Sequence, residues 1–258
     1  VFYCVDSHIH SWYPVWAQVF DLCLVSLKDH ISRFLSRLET DKVLWMPPMP
    51  MNHDRPNPDI SPEWDLLFAG TVSRETTPVR AEFLEQLGRR IPGLVVKKGP
   101  FRELFPRARL VLNIAERGDL NFRVFEALAC KSCLITPMVA HGFTELFTPG
   151  EHLFTYDPED LDALANLVEE LLADQDRCRQ VARAGNALIE QGHRVQHRAQ
   201  AFNNFLESHD LAGLVGNRLA IAKELARIVR PIHLHWAEAH SGSSLAGSYL
   251  AATKGVRG

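Results

Sequence analysis

Leu110-Val-Leu-Asn-Ile114, the loop Ala115-Glu-Arg-Gly-Asp-Leu120, the segment Asn121-Phe-Arg-Val-Phe-Glu-Ala-Leu-Ala129 and then Ser132-Cys-Leu-Ile-Thr136 form the stretch on which the fold turns. The two apolar runs are too short for buried helices and show no polar alternation, so they read as strands buried on both faces. Between them lies a helix whose apolar positions recur at helical spacing. Strand, helix and next strand within so few residues is the crossover unit of a parallel sheet.

The same grammar runs outward in both directions. Upstream, Trp64–Ala69 is a strand that ends at Gly70-Thr71, Pro78–Arg90 an amphipathic helix with proline near its start, Leu94–Val96 a strand and Phe101–Arg107 a short helical turn. Downstream come a short helix at Gly142–Phe147, a strand at His152–Tyr156 and helices at Asp160–Ala173, Asp176–Glu190 and His197–Glu207, the first two with acidic first turns. This alternation predicts an α/β protein with a doubly wound, Rossmann-like parallel sheet.

The front of the chain repeats the pattern in miniature. Val1–Val5, Phe20–Val25 and Lys42–Met46 read as strands, with a helix at Lys28–Leu38. Pro47, Pro48 and Pro50, then Pro56, Pro58 and Pro62, can neither pair in a sheet nor continue a helix, and they read as an interdomain linker. After Glu207 a helix is expected over Leu214–Val229, ending before Pro231, and the Gly/Ser/Ala-rich segment from Ser241 is expected to fray. The expected organisation is therefore 1–60 as the remnant of an N-terminal α/β domain with its linker, 61–208 as the Rossmann-like domain, and 209–258 as helix and flexible tail. A buried strand starting at Val1 suggests that further strands precede it.

Bulk properties narrow the function. With 46% hydrophobic and 23% charged residues and a net charge of −3, the 258-residue chain is ordinary for a globular protein and has no global basic field for nucleic acid. The tail from Leu211 is mildly basic, with Arg218, Lys223, Arg227, Arg230, Lys254 and Arg257 against Glu224 and Glu238. No secretory leader or membrane-span composition is evident, which reads as cytoplasmic, with a peripheral position at the inner membrane face as a variant. Five cysteines make no disulfide framework. Cys130-Lys-Ser-Cys133 lacks the second pair of a zinc site and reads as structural.

In an open parallel sheet, ligands bind outside the carboxyl ends of the strands. Gly70-Thr-Val-Ser-Arg74 offers close backbone approach and an arginine for phosphate, although a tight turn with a surface arginine explains it equally. The loop after Ile114 leads into a helix near Asn121, whose first amides make an anion site. Arg123 beside it suits a diphosphate and Glu126, one turn on, suits ribose hydroxyls; the bland alternative is an Arg/Glu surface pair. No P-loop and no dinucleotide glycine fingerprint is present.

Arg123-Val-Phe-Glu-Ala-Leu-Ala-Cys130 followed by Leu134-Ile-Thr136 resembles the donor-site segment of CgeB-like (spore-maturation-type) glycosyltransferases, within the broad group-1 set. Val5-Asp-Ser-His8, Phe20-Asp21 and Lys28-Asp-His30 look like the end of that family's first domain, and Phe68-Ala-Gly-Thr71 like the opening of its second. Thr144-Glu-Leu-Phe147 with Gly150 and Tyr156, then His193 and His197-Arg198, resemble its closing part, so the likeness runs in order over about residues 1–207.

The resemblance implies the two-Rossmann GT-B architecture, with this chain carrying the nucleotide-sugar half and part of the acceptor half. It implies transfer of a sugar from a nucleoside diphosphate sugar to an acceptor hydroxyl of a glycan, lipid-linked or protein acceptor, in surface glycan or glycoconjugate synthesis, without an obligatory metal. It places Arg123 at the diphosphate, Glu126 at the ribose, Gly70, Thr71 and Arg74 near the phosphates, and Asn121 and Glu145 at the donor site. Asp6 or His8 would face the cleft between the halves and act as base toward the acceptor, with a purely structural His8 as the alternative. Two departures stand out: Lys131 replaces the glycine usual after Ala-Cys, and Gly118 occupies the first position of the spaced carboxylate pair. The rival reading is a non-catalytic, truncated module that binds a nucleotide or a partner, self-associating through its incomplete front half. A metal-dependent hydrolase, from Asp6-x-His8-x-His10 and His233-x-His235, is the lesser alternative.

Overall fold

All strand pairings in both sheets are parallel, as the unbroken apolar strands require. The computed structural model describes residues 1–254; Gly255 to Gly258, including the Arg257 end of the basic tail, lie outside the described residues. The chain divides into two units, Pro48–Gln200 and a second made of Val1–Pro47 with the described residues from Ala201 on.

The smaller sheet consists of β1 (Phe2–Cys4), β2 (Cys23–Val25) and β3 (Val43–Trp45) in that order, with the short helices α1 (Tyr13–Ala17) and α2 (Ile31–Leu35) between them. In Pro48–Gln200 the chain runs β4 (Trp64–Ala69), α3 (Pro78–Arg90), β5 (Leu94–Lys97), α4 (Phe101–Leu104), β6 (Ala108–Leu112), α5 (Phe122–Ala129), β7 (Leu134–Pro137), α6 (Phe143–Leu146), β8 (Phe154–Tyr156), α7 (Leu161–Ala173) and α8 (Gln175–Gly192). The helix α9 (Val195–Glu207) carries the chain back toward the first unit. The larger sheet has the order β5-β4-β6-β7-β8, so the chain reverses direction across the sheet between β4 and β6. That reversal opens a crevice outside their carboxyl ends.

Strand alternation builds the core of the larger unit. Leu66 and Phe68 of β4 and Leu110 and Leu112 of β6 join Leu84 and Leu87 of α3 and Leu164, Val168 and Leu171 of α7 in one cluster. Leu67 and Val111, which alternate with them, are fully buried toward the opposite face. Asp160 and Asp174 cap α7 and α8 by accepting from Ala163 N–H at 2.8 Å and Arg177 N–H at 3.0 Å. Asn186 of α8 donates to Leu128 O and Ala129 O, satisfying the last carbonyls of α5.

The C-terminal segment departs from the expected single helix and frayed end. It forms α10 (Leu211–Ala220), α11 (Ala222–Ala239) with Pro231 inside, and α12 (Ser244–Lys254). Proline costs a helix one hydrogen bond, but Leu225, Val229, Ile232 and Ala237 bury one continuous face, and that burial carries α11 past the break. Its ring contacts explain why the Gly/Ser-rich end orders as well: Trp236 stacks on His240 and Tyr249, and reaches Trp12 near α1 at 5.8 Å. Arg218 Nε adds a hydrogen bond shared between the two Asp21 carboxylate oxygens at 2.9 and 3.0 Å. Among the described residues no helix is long and apolar enough to cross a membrane.

Candidate functional site

β4 delivers Gly70 to the crevice, with its N–H bonded to Lys97 O at 2.9 Å. A Cβ there would crowd the Phe68 ring at 3.0 Å and stand in ordinary contact with Arg123 Nη1 at 3.9 Å. Thr71 is exposed, and its carbonyl accepts from Arg80 of α3 at 3.0 Å. Arg80 also pairs with Glu116 of the loop after β6 at 3.0 Å, tying the two strand-end loops together.

On the other side of the crevice α5 begins at Asn121, whose backbone is extended as at an N-cap, yet whose side chain caps nothing. Its Nδ2 donates to Ile114 O at 3.4 Å, and its Oδ1 is buried without a partner. The first amides of α5 therefore lack a side-chain oxygen of their own and remain open to an anion. Arg123 donates through Nη1 to Ala69 O and through Nε to Glu126 Oε2 at 3.3 Å, and its guanidinium lies 3.7 Å over the Phe101 ring. Both side chains are mostly buried, at 16% and 17% exposure. Burial pulls the Arg123 guanidinium down and Glu126 holds it up. For Glu126 burial pushes the carboxyl above its usual range, while Arg123 opposes that push and nearby Asp54 adds to it. This is a charged pair in a low-dielectric setting, not the surface pair of the bland reading.

Glu126 borders a cavity of about 320 Å³ that it shares with Met51, His53, Asp54, Phe101 and Arg102. Asp54 is 4% exposed; its carboxylate accepts from Met51 N–H at 2.7 Å, and its carbonyl accepts from Arg194 at 2.6 Å. Arg194 is itself buried and pairs with Glu190. His53, Asp54, Arg80 and Arg194 escaped the sequence reading. The proline density around Asp54 marked a linker, and nothing local to Arg194 pointed to a partner so far away in sequence.

The other expected site residues have different surroundings. Arg74 is 83% exposed and turned onto Glu85 of α3 at 2.6 Å, as in its bland reading. Glu145 is exposed on α6. Asp6 and His8 belong to the other unit, beyond the carboxyl end of β1; Asp6 is exposed, and the Nδ1 of His8 is buried without a partner. Gly118 adopts φ 71°, a left-handed conformation that would strain the carboxylate residue of the usual spaced pair. All five cysteines are free and buried, and burial pushes the Cys130 thiol up to about 12. No group of three or more His, Cys, Asp or Glu among the described residues is disposed to hold a metal ion, and two separate sheets exclude the closed barrel of the hydrolase alternative.

The family described as glycosyl transferase-like matches residues 75–204, half of the chain. No curated protein matches significantly. Among solved structures, Anabaena HepE in complex with UDP-glucose superposes with a TM-score of 0.63 at 13% identity, covering 81% of this chain and 72% of that one. Sucrose-phosphate synthase from Thermosynechococcus elongatus gives 0.56 at 13% identity over 79% of this chain and 63% of the other. TarM gives 0.56 at 8% identity over 76% of this chain. This chain spans 63% of the synthase and 45% of TarM. At such identities the likeness is one of fold, that of an α/β chain with a Rossmann-like parallel sheet.

Proposed function

This chain belongs to the glycosyl transferase-like family, and from that premise we propose that it binds a nucleoside diphosphate sugar and transfers the sugar to an acceptor hydroxyl. The observation that carries the reading is the buried Arg123–Glu126 pair at the reversal between β4 and β6. In this assignment the diphosphate lies along Gly70 and the first turn of α5, where Arg123 and the helix amides offset its charge. The ribose meets Glu126 in the cavity lined by Phe101 and Asp54. Because HepE is seen with UDP-glucose, UDP sugars are the first donors to test.

Transfer breaks the bond between the sugar's anomeric carbon and the diphosphate oxygen and forms one to the acceptor oxygen; the acceptor proton passes to a base. Asp6 and His8 are the candidates for that base, and the unpartnered Nδ1 of His8 favours a role beyond packing. Arg74 is a second-line phosphate ligand that must first leave Glu85, and Thr71, Asn121 and Glu145 complete the donor assignment. We read the chain as CgeB-like, acting in the cytoplasm on a glycan, lipid-linked or protein acceptor, with no obligatory metal. Calorimetric titration with UDP, GDP, ADP and their sugar conjugates tests the donor site. One nucleotide should bind, and more weakly but still measurably to Arg123→Met, and no heat with any of them in the millimolar range would overturn the assignment.

A further inference from the structure

The turn that closes α5 places a lysine where glycine is favoured. Ser132 N–H bonds to Ala127 O and Lys131 N–H to Leu128 O, both at 3.0 Å, and this closure holds Lys131 at φ 61°. Left-handed backbone is unfavourable for a residue with a side chain, so the lysine is held there at a cost. Lys131 lies at a cavity of about 400 Å³. Pro56, Pro58, Pro62 and Pro106 give its lining a rigid apolar part, and the 130–133 turn and the start of α8 line it as well. The charged side chains lining this cavity are Arg109, Lys131 and Arg179, and among the described lining residues none is acidic.

Arg109 and Arg179 do have carboxylate partners, Asp65 at 3.3 Å and Asp176 at 2.6 Å, but both carboxylates lie outside the lining. Asp176 is 94% exposed, and such pairs yield readily to a better anion. Ser132, which is among the lining residues, is 6% exposed, and its buried hydroxyl has no partner. A buried hydroxyl without a partner is uncommon and is satisfied by a ligand or water.

We propose that this cavity is a second ligand site that binds an organic phosphate. Its phosphate meets Lys131, Arg179 and the Ser132 hydroxyl, and its carbon body lies on the prolines. The cavity shares no lining residue with the one bordered by Glu126, so the two ligands bind independently.

Phenyl phosphate is the probe, compared with inorganic phosphate, by calorimetry and thermal shift on the full chain with and without saturating UDP. Phenyl phosphate should bind at one site, more tightly than inorganic phosphate, with an affinity unchanged by UDP. Lys131→Gly and Arg179→Gln should each weaken it roughly tenfold, the loss expected for one charge-assisted contact. Lys131→Gly relieves the left-handed strain and so should melt no lower than wild type, which separates lost binding from lost folding. Absence of binding in the millimolar range, displacement by UDP, or unchanged affinity in both variants would overturn the site. Equal affinity for phenyl and inorganic phosphate would overturn its assignment to an organic phosphate.

Discussion

Removing the Glu126 carboxylate should do two separable things. In the free protein, Glu126→Ala leaves the mostly buried Arg123 with Ala69 O as its hydrogen-bond acceptor and the Phe101 and Phe105 rings as its other contacts. A buried charged donor that loses a hydrogen-bonded partner costs about 1–3 kcal/mol, and the residual exposure and the 3.3 Å separation place this case toward the lower end. In the complex, a carboxylate bound to ribose hydroxyls is worth ~1.5–3 kcal/mol, so nucleotide affinity should fall by roughly ten- to a hundredfold. Glu126→Gln keeps the shape and one neutral acceptor, and should lose about half of each effect. Denaturant unfolding of the free protein measures the first loss and calorimetry with nucleoside diphosphate the second. A double-mutant cycle with Arg123→Met then tells whether Glu126 touches the ligand or only steadies the arginine. If Glu126→Ala costs nothing further in affinity once Arg123 is methionine, the carboxylate acts only through Arg123 and the ribose assignment is wrong.

Acid should weaken nucleotide binding early: burial raises the folded pKa of Glu126 above its unfolded value, so as pH falls the folded protein loses this carboxylate before an exposed one would protonate. The sign for stability is opposite, because the penalty of the buried charge, present above the folded pKa, is relieved as pH falls through it; affinity measured against pH should drop in wild type and stay flat over that window in Glu126→Gln. Gly185→Ala should destabilise although it adds a good helix former, since a Cβ there would run into the His152 carbonyl oxygen and stand 2.8 Å from Leu128 Cδ2. The clash costs about 1–3 kcal/mol against a propensity gain of about 1, and a denaturant midpoint above wild type would show that the α8 contact gives way. Lys131→Gly should gain ~0.5–1 kcal/mol on the same assay, because glycine accepts the left-handed backbone freely.

The larger sheet was legible because its signals are local. Leu110–Leu112 and Leu134–Ile135 are apolar without alternation, and a strand between two parallel neighbours with helices on both faces leaves no other reading. Helix starts were nearly as clear: Asp160 caps α7 where the helix was expected to begin, and Asp174 caps α8 two residues before the expected start at Asp176. The tail was not legible, because composition and Pro231 both argue against helix while the face that stabilises α11 and α12 is made of rings brought together only by folding, Trp12 with Trp236 and Tyr249 with His240.

The site divides along the same line. Arg123 and Glu126 are one helical turn apart, so their pairing follows from spacing, and only its burial needed the fold. The wall opposite Glu126 comes from a segment with no periodicity, set among prolines, which composition marks as a linker. Proline removes amide donors but leaves carbonyls and side chains free to be held, and here the holding groups are distant in sequence: Arg194 grips the carbonyl of Asp54 and Arg198 reaches the carbonyl of Pro48 at 3.4 Å. A buried arginine commits to such carbonyls because leaving its charge unpaired would cost more than ordering the loop. The shape of the proposed ribose cavity is thereby set from the junction of α8 and α9 as much as from α5. Arg194→Met should accordingly loosen the 51–54 segment and weaken nucleotide binding without touching the ligand, whereas a linker that merely spans two units would tolerate it.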